Sequence, residues 1–256
     1  MRTLLAFTKK EITEQARTGK LLFLGILFVL FGIMNPAVAK LTPWLMEQMA
    51  DSLADMGMNI TEVSVTAMDS WVQFFKNIPM AFIAFVLLES SIFTKEYRSG
   101  TLILSLTKGL ERYKVVAAKT SVLILLWSAG YWLCYAITYA YNAYYWDNAI
   151  AKSLPHSAFV WWVFGLWVIA LTVLFSTLCT ANTGVLVGTG GAVLASTFVG
   201  MIPKVSKFLP TLLTDGNSLI YGQKSPEDYT AALVITGATA VAALAVSLVR
   251  FNKKQL

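Results

Sequence analysis

The chain has 256 residues, 57% of them hydrophobic and 13% charged, with a net charge of +6 and a mean hydropathy of +0.64. That charged share is about half the usual share of a soluble domain, which excludes a soluble enzyme and predicts an all-α, polytopic membrane protein. Two cysteines in apolar runs, Cys134 and Cys179, and one histidine, His156, exclude a disulfide framework and a metal site.

Residues 1–20 place Leu5, Thr8, Ile12 and Ala16 at helical spacing, among Lys9, Lys10, Glu11, Glu14 and Arg17. This predicts a short amphipathic helix on the inner membrane surface, leading into the first span. The stretch Ala37-Val38-Ala39 resembles a signal-peptide cleavage site. Against that reading, the N-terminal region is long and carries Glu11 and Glu14, and the apolar run is long enough to span.

Six spans are predicted at about 21–40, 78–94, 118–141, 158–179, 184–202 and 231–250, within one transmembrane domain over 1–256. The outer segment 41–77 carries two stripes, Leu45, Met49, Leu53, Met56 and then Met68, Trp71, Phe75, Ile78. Both read as amphipathic helices on or in the outer leaflet. The outer segment 203–230 is rich in breakers (Pro203, Pro210, Asp215-Gly216-Asn217, Pro226) and reads as an irregular cap with one short helix.

Lys and Arg fix the orientation. With both termini inside, fourteen fall on inner segments and six on outer ones, while acids run four inside to nine outside. An even number of spans with both termini cytoplasmic satisfies the positive-inside rule.

The inner segment 94–119 concentrates six of the basic residues: Lys95, Arg98, Lys108, Arg112, Lys114 and Lys119. Its acids are Glu96 and Glu111, and Leu102, Leu104, Leu106 and Leu110 alternate with polar positions. A charged segment between spans cannot sit in hydrocarbon, so it is offered to a cytoplasmic partner.

Catalytic patterns are missing: no Walker A sequence, no triad and no paired carboxylates. Gly188-x-Gly190 reads as close helix packing, together with Gly184-x-x-x-Gly188. Glu89 is the one acid within a span, about one turn from its inner end. It is either functional or an interfacial carboxylate paired with Lys95 or Arg98. Tyr131, Tyr135 and Tyr139 recur every four residues, with Thr138 beside them. They either line a path for an amphipathic substrate or pack between helices with satisfied hydroxyls.

The central segment resembles the cytoplasmic loop of type-2 ABC-transporter permeases, the exporter class. In that comparison Glu89 matches the first acid, Glu96 and Arg98 an acidic-basic cluster, and Gly100-Thr101-Leu102 the core. Ile103 to Leu106 match the leucine stretch, Arg112 the arginine and Lys119 the lysine that opens the next span. Where the family often has a proline, this chain has Lys108-Gly109-Leu110.

The resemblance implies a second permease chain, identical or related, and a separate cytoplasmic ABC ATPase, in two copies, that binds ATP and Mg. It also implies a coupling helix in the central loop, with Glu96, Arg98, Gly100, Thr101, Leu102 and Arg112 as coupling residues. The surroundings would be lipid of a bacterial cytoplasmic membrane, with no nucleic acid and no cofactor in this chain. The expected function is export of an amphipathic or hydrophobic substrate, a peptide or toxin. The rival readings are a non-transporting scaffold or sensor and an ion-driven transporter using Glu89. For Arg98 and Arg112, lipid headgroup binding stands as the alternative, and Thr101 as a helix cap.

Overall fold

The computed structural model describes residues 2–49, 64–107 and 109–254. Leu53 and Met56 of the first outer stripe, and Lys108 of the central segment, lie outside the described residues. The protein is all-helical, with no strand among the described residues. Its helices are α1 (Arg2–Arg17), α2 (Lys20–Gln48), α3 (Ala67–Glu89), α4 (Thr94–Ser99), α5 (Thr101–Thr107), α6 (Arg112–Tyr145), α7 (Leu154–Leu178), α8 (Asn182–Gly200), α9 (Pro203–Ser206), α10 (Gly216–Ile220) and α11 (Thr230–Lys253). Six of them are long and apolar enough to cross a membrane: α2, α3, α6, α7, α8 and α11.

Two helices pass the ends expected from the apolar runs. α2 continues through Pro36 and Pro43 to Gln48. A proline frees the carbonyl four residues before it, which must then find another donor. Pro36 frees Gly32, and the Thr138 hydroxyl of α6 donates to that carbonyl at 3.1 Å. The Asn35 side chain in turn donates to Thr138 Oγ1 and accepts from Asn77 of α3, so the break becomes a three-helix clamp.

α3 begins at Ala67, where Thr66 and Asp69 form a capping box. Trp71, Phe75 and Ile78 are therefore not in an outer-leaflet helix: they are buried inside the bundle. The cause is aromatic packing, since Trp71 lies against Tyr135 with ring centroids 5.2 Å apart and donates to Asn148.

α7 is the central element and α8 the most peripheral: 61% of the membrane-length window of α7 is buried, against 11% for α8. The core is aromatic and centres on Trp127, which touches Phe28, Phe82, Phe85, Tyr131 and Trp161. Gly165 allows this, because a Cβ there would lie 2.4 Å from the Trp127 ring. The cap after α8 is more ordered than its breakers imply. It holds α9, α10 and two 3-10 turns, Pro210–Thr214 and Pro226–Tyr229, with Leu213, Leu219 and Ile220 buried beneath them.

Candidate coupling site at the charged end of the bundle

α1, α4, α5, the start of α6 and the end of α11 meet at one end of the bundle. α1 docks there with its mixed face, Phe7, Glu11 and Gln15, which are buried. Leu5 and Ile12, from the apolar stripe, remain exposed. An interfacial helix keeps such a stripe for lipid.

Lys119 of α6 is the hub, with its side chain 1% exposed. Its ammonium donates to Glu11 Oε2 at 2.8 Å and to the Ile92 carbonyl at 3.0 Å. It also lies 3.0 Å from Glu96 Oε2, an ion pair without hydrogen-bond alignment. Lys10 bridges the other oxygens of Glu11 and Glu96. Glu14 completes the group, 3.2 Å from Lys10 and 3.1 Å from Lys95. The three carboxylates come within 4.8 Å of one another, spacing that suits a cation. Lys10 fills that role: burial alone would lower its pKa, but its bonds to Glu96 and Glu11 hold it above the ordinary value. For Glu14, burial pushes upward, and Lys95 and Lys10 overcome it and hold the carboxyl below its ordinary value.

Glu89, 1% exposed, accepts from Gln15 Nε2 at 2.6 Å and lies 3.5 Å from Lys20 Nζ. The expected pairing with Lys95 or Arg98 is thus replaced by partners from α1 and the start of α2. Lys20 is tethered by its own bond to the Leu88 carbonyl at 2.6 Å.

The residues expected to face a partner divide by position. Glu96 is buried in the charge cluster and Leu102 in the core, so neither is on the surface. Arg112 is half-buried and donates to the carbonyls of Phe251 and Lys254, tying the end of α11 to the start of α6. Cations near a helix C-terminus are favourable there. Arg98 and Thr101 are exposed. Gly100 ends α4 with φ +68°, a left-handed turn that favours glycine. It also begins α5, since its carbonyl accepts from Ile103 N at 3.1 Å. Thr101 is therefore not the cap, and its hydroxyl bonds Ser99 at 2.8 Å instead. Ile103 and Leu104 on α5 are 44% and 62% exposed.

Sequence reasoning missed Lys10, Gln15, Lys20, Tyr97 and Lys254. Lys254 Nζ donates to the carbonyls of Thr177 and Cys179 at the end of α7 and sits 4.2 Å from the Tyr97 ring centre. Tyr97 donates to Ser176 O at 3.1 Å. Only the spacing of Lys10, Glu11 and Glu14 hinted at a charged face on α1.

The tyrosine face of α6 is not an open path within this chain. Tyr131 is fully buried and donates to the Ala158 carbonyl at 2.7 Å, and Thr138 is held in the α2 clamp. Tyr135 packs on Trp71 and Phe74, and Tyr139 alone of the three tyrosines is substantially exposed, at 46%. Open space lies elsewhere. An apolar groove of about 830 Å³ runs between α3 and α8 over the floor of α7, lined by Ile83, Leu87, Phe164, Val168, Gly190 and Leu194 among others.

Six apolar helices, with a charge-stitched helical junction at one end, define a multi-pass membrane protein. The family model of ABC-2 family transporter proteins matches residues 5–256, and the chain belongs to that family. No curated protein and no solved structure matches the chain. It is the transmembrane subunit of an ABC transporter, a kind of subunit that lacks the ATPase motif and normally pairs with an ATPase subunit.

Proposed function

We propose that this chain couples ATP hydrolysis on a separate nucleotide-binding subunit to export of an amphipathic or hydrophobic substrate, a peptide or toxin. The charged end, with both termini, faces the cytoplasm of a bacterium, and the opposite cap faces outward. ATP and Mg are held by the ATPase partner, and a second permease copy completes the membrane part.

The observation that carries this reading is the position of Glu96. It joins α4, which leads into the exposed α5, to α1 through Lys10 and to α6 through Lys119. A push on Ile103 and Leu104 would therefore reach the interfacial helix and a spanning helix together as one rigid unit. The substrate class rests on charge placement. Residues 21–39, 77–88, 120–145, 154–178, 182–200 and 230–249 contain no Asp, Glu, Lys or Arg, whereas a path for a hydrophilic ion needs polar lining. Glu89, closed in by Gln15 and Lys20, fits a structural pairing better than an ion relay.

The test is affinity purification of the tagged chain from bacterial membranes in mild detergent. Wild type should retain an ATPase with a Walker A sequence. Ile103→Asp/Leu104→Asp, altering exposed side chains only, should lose it while the chain stays monodisperse. Undiminished retention would overturn α5 as the docking element.

A further inference from the structure

Two cavities follow one another along the seam that α8 makes with the helical run Ala67–Ser99: one faces α3, the other faces the 3-10 turn Ser90–Ile92 and α4. The first is the apolar groove. The other is a polar cleft of about 440 Å³ lined by Ser91, Thr94, Lys95, Arg98, Ser99 and Asn182. Each wall runs through both. On the helical run Ala67–Ser99, the groove takes Pro79, Ile83 and Leu87, and the cleft takes Ser91 and Lys95, each four residues from the last. On α8 the cleft takes Asn182 and the groove takes Leu186, Gly190 and Leu194, again in steps of four. Four-residue steps keep to one helix face within α3 and within α8, and the 3-10 turn Ser90–Ile92 carries the wall from groove to cleft.

We propose that this seam binds an anionic glycerophospholipid of the inner leaflet, with its phosphate in the cleft and an acyl chain along the groove. Arg98 is exposed and has no carboxylate within 4.0 Å among the described residues, while Lys95 shares only Glu14. A guanidinium and an ammonium form a donor pair suited to a phosphate, while the hydroxyls of Ser91, Thr94 and Ser99 are held by backbone carbonyls and line the cleft as polar walls. α8 starts at the same place, and its N-cap residue, Ala181, has no side-chain cap.

The apolar part has matching dimensions. Ser91 to Pro79 is twelve residues, about 18 Å of helix, slightly more than one leaflet of a ~30 Å hydrocarbon core. Ile83, Leu87 and Leu194 are 59%, 55% and 58% exposed along this strip, surface that an acyl chain would cover. At the far end, Lys224 and Asp215 pair at 2.7 Å and satisfy each other, so they do not compete for the headgroup. The inner-leaflet assignment rests on the orientation proposed above, whereas lipid binding requires neither the ATPase nor export.

The test is native mass spectrometry of the full chain in mild detergent, with equal phosphatidylglycerol and phosphatidylcholine added. Wild type should retain phosphatidylglycerol about tenfold better, because two cations act on one headgroup. Lys95→Gln/Arg98→Gln should abolish the preference. Gly190→Leu should reduce retention of the lipid without unfolding the chain, because a Cβ there meets nothing within 4 Å and the added side chain enters the groove. Excess inorganic phosphate should not displace the lipid. Equal retention of both lipids by wild type, unchanged retention by Gly190→Leu, or displacement by phosphate alone would each overturn the proposal. Ile103→Asp/Leu104→Asp should keep the lipid while losing the ATPase, so failure of either reading shows separately.

Discussion

Lys119 and Glu96 meet at 3.0 Å with side chains 1% and 7% exposed, one at the start of a spanning helix and the other in the short α4. Neither could remain charged there alone, because a buried ion without a partner loses its hydration and gains nothing. Their pairing, extended by Glu11 and Lys10, makes the charged end of the bundle one unit.

Lys119→Met should therefore be severe. It leaves Glu11 and Glu96 buried with only Lys10 between them, a loss of about 3–5 kcal/mol by analogy with broken buried pairs. Thermal unfolding of the purified chain in detergent checks this. A melting temperature equal to that of wild type would show that the cluster is dispensable.

The same cluster sets a pH window. Glu14 has a folded pKa below its ordinary 4.5, so its contribution is present above that value and is lost as pH falls through the lower folded pKa. Lys10 has a folded pKa above its ordinary 10.5, so its contribution is complete below 10.5 and is lost as pH rises through the higher folded pKa. The contributions of Glu14 and Lys10 should be flat between these limits and fall outside both. Melting scans of wild type against Lys10→Met across pH read the alkaline arm, and the two curves should converge at high pH.

The Pro36 clamp predicts a compensated pair. Thr138→Val removes the donor to the Gly32 carbonyl and should cost about 1 kcal/mol, typical of hydrogen bonds between membrane helices. Pro36→Ala restores the N–H that this carbonyl accepts within a regular helix. Thr138→Val should thus cost less in a Pro36→Ala background, where the lost acceptor of the Asn35 side chain is all that remains. Equal costs in both backgrounds, read from the melting temperatures of the four proteins, would separate Thr138 from the proline.

The helical class, the six apolar runs and the charged segment between the second and third spans are legible in the amino-acid order alone. Those features follow from local composition: long apolar stretches must satisfy their backbone internally, and charged stretches between them must stay wet. Position within that segment was not legible. Glu96 and Arg98 are two residues apart and similarly polar, yet one is sealed against Lys119 and the other is open to solvent. Burial of a charge depends on partners far along the chain, and nothing local marks Lys10, Gln15 or Lys20 as those partners. The same holds for Trp71 and Phe75, whose apolar spacing suits a membrane surface as well as a core. Only the packing of α3 against Tyr135, with the cap over them, decided that they lie inside.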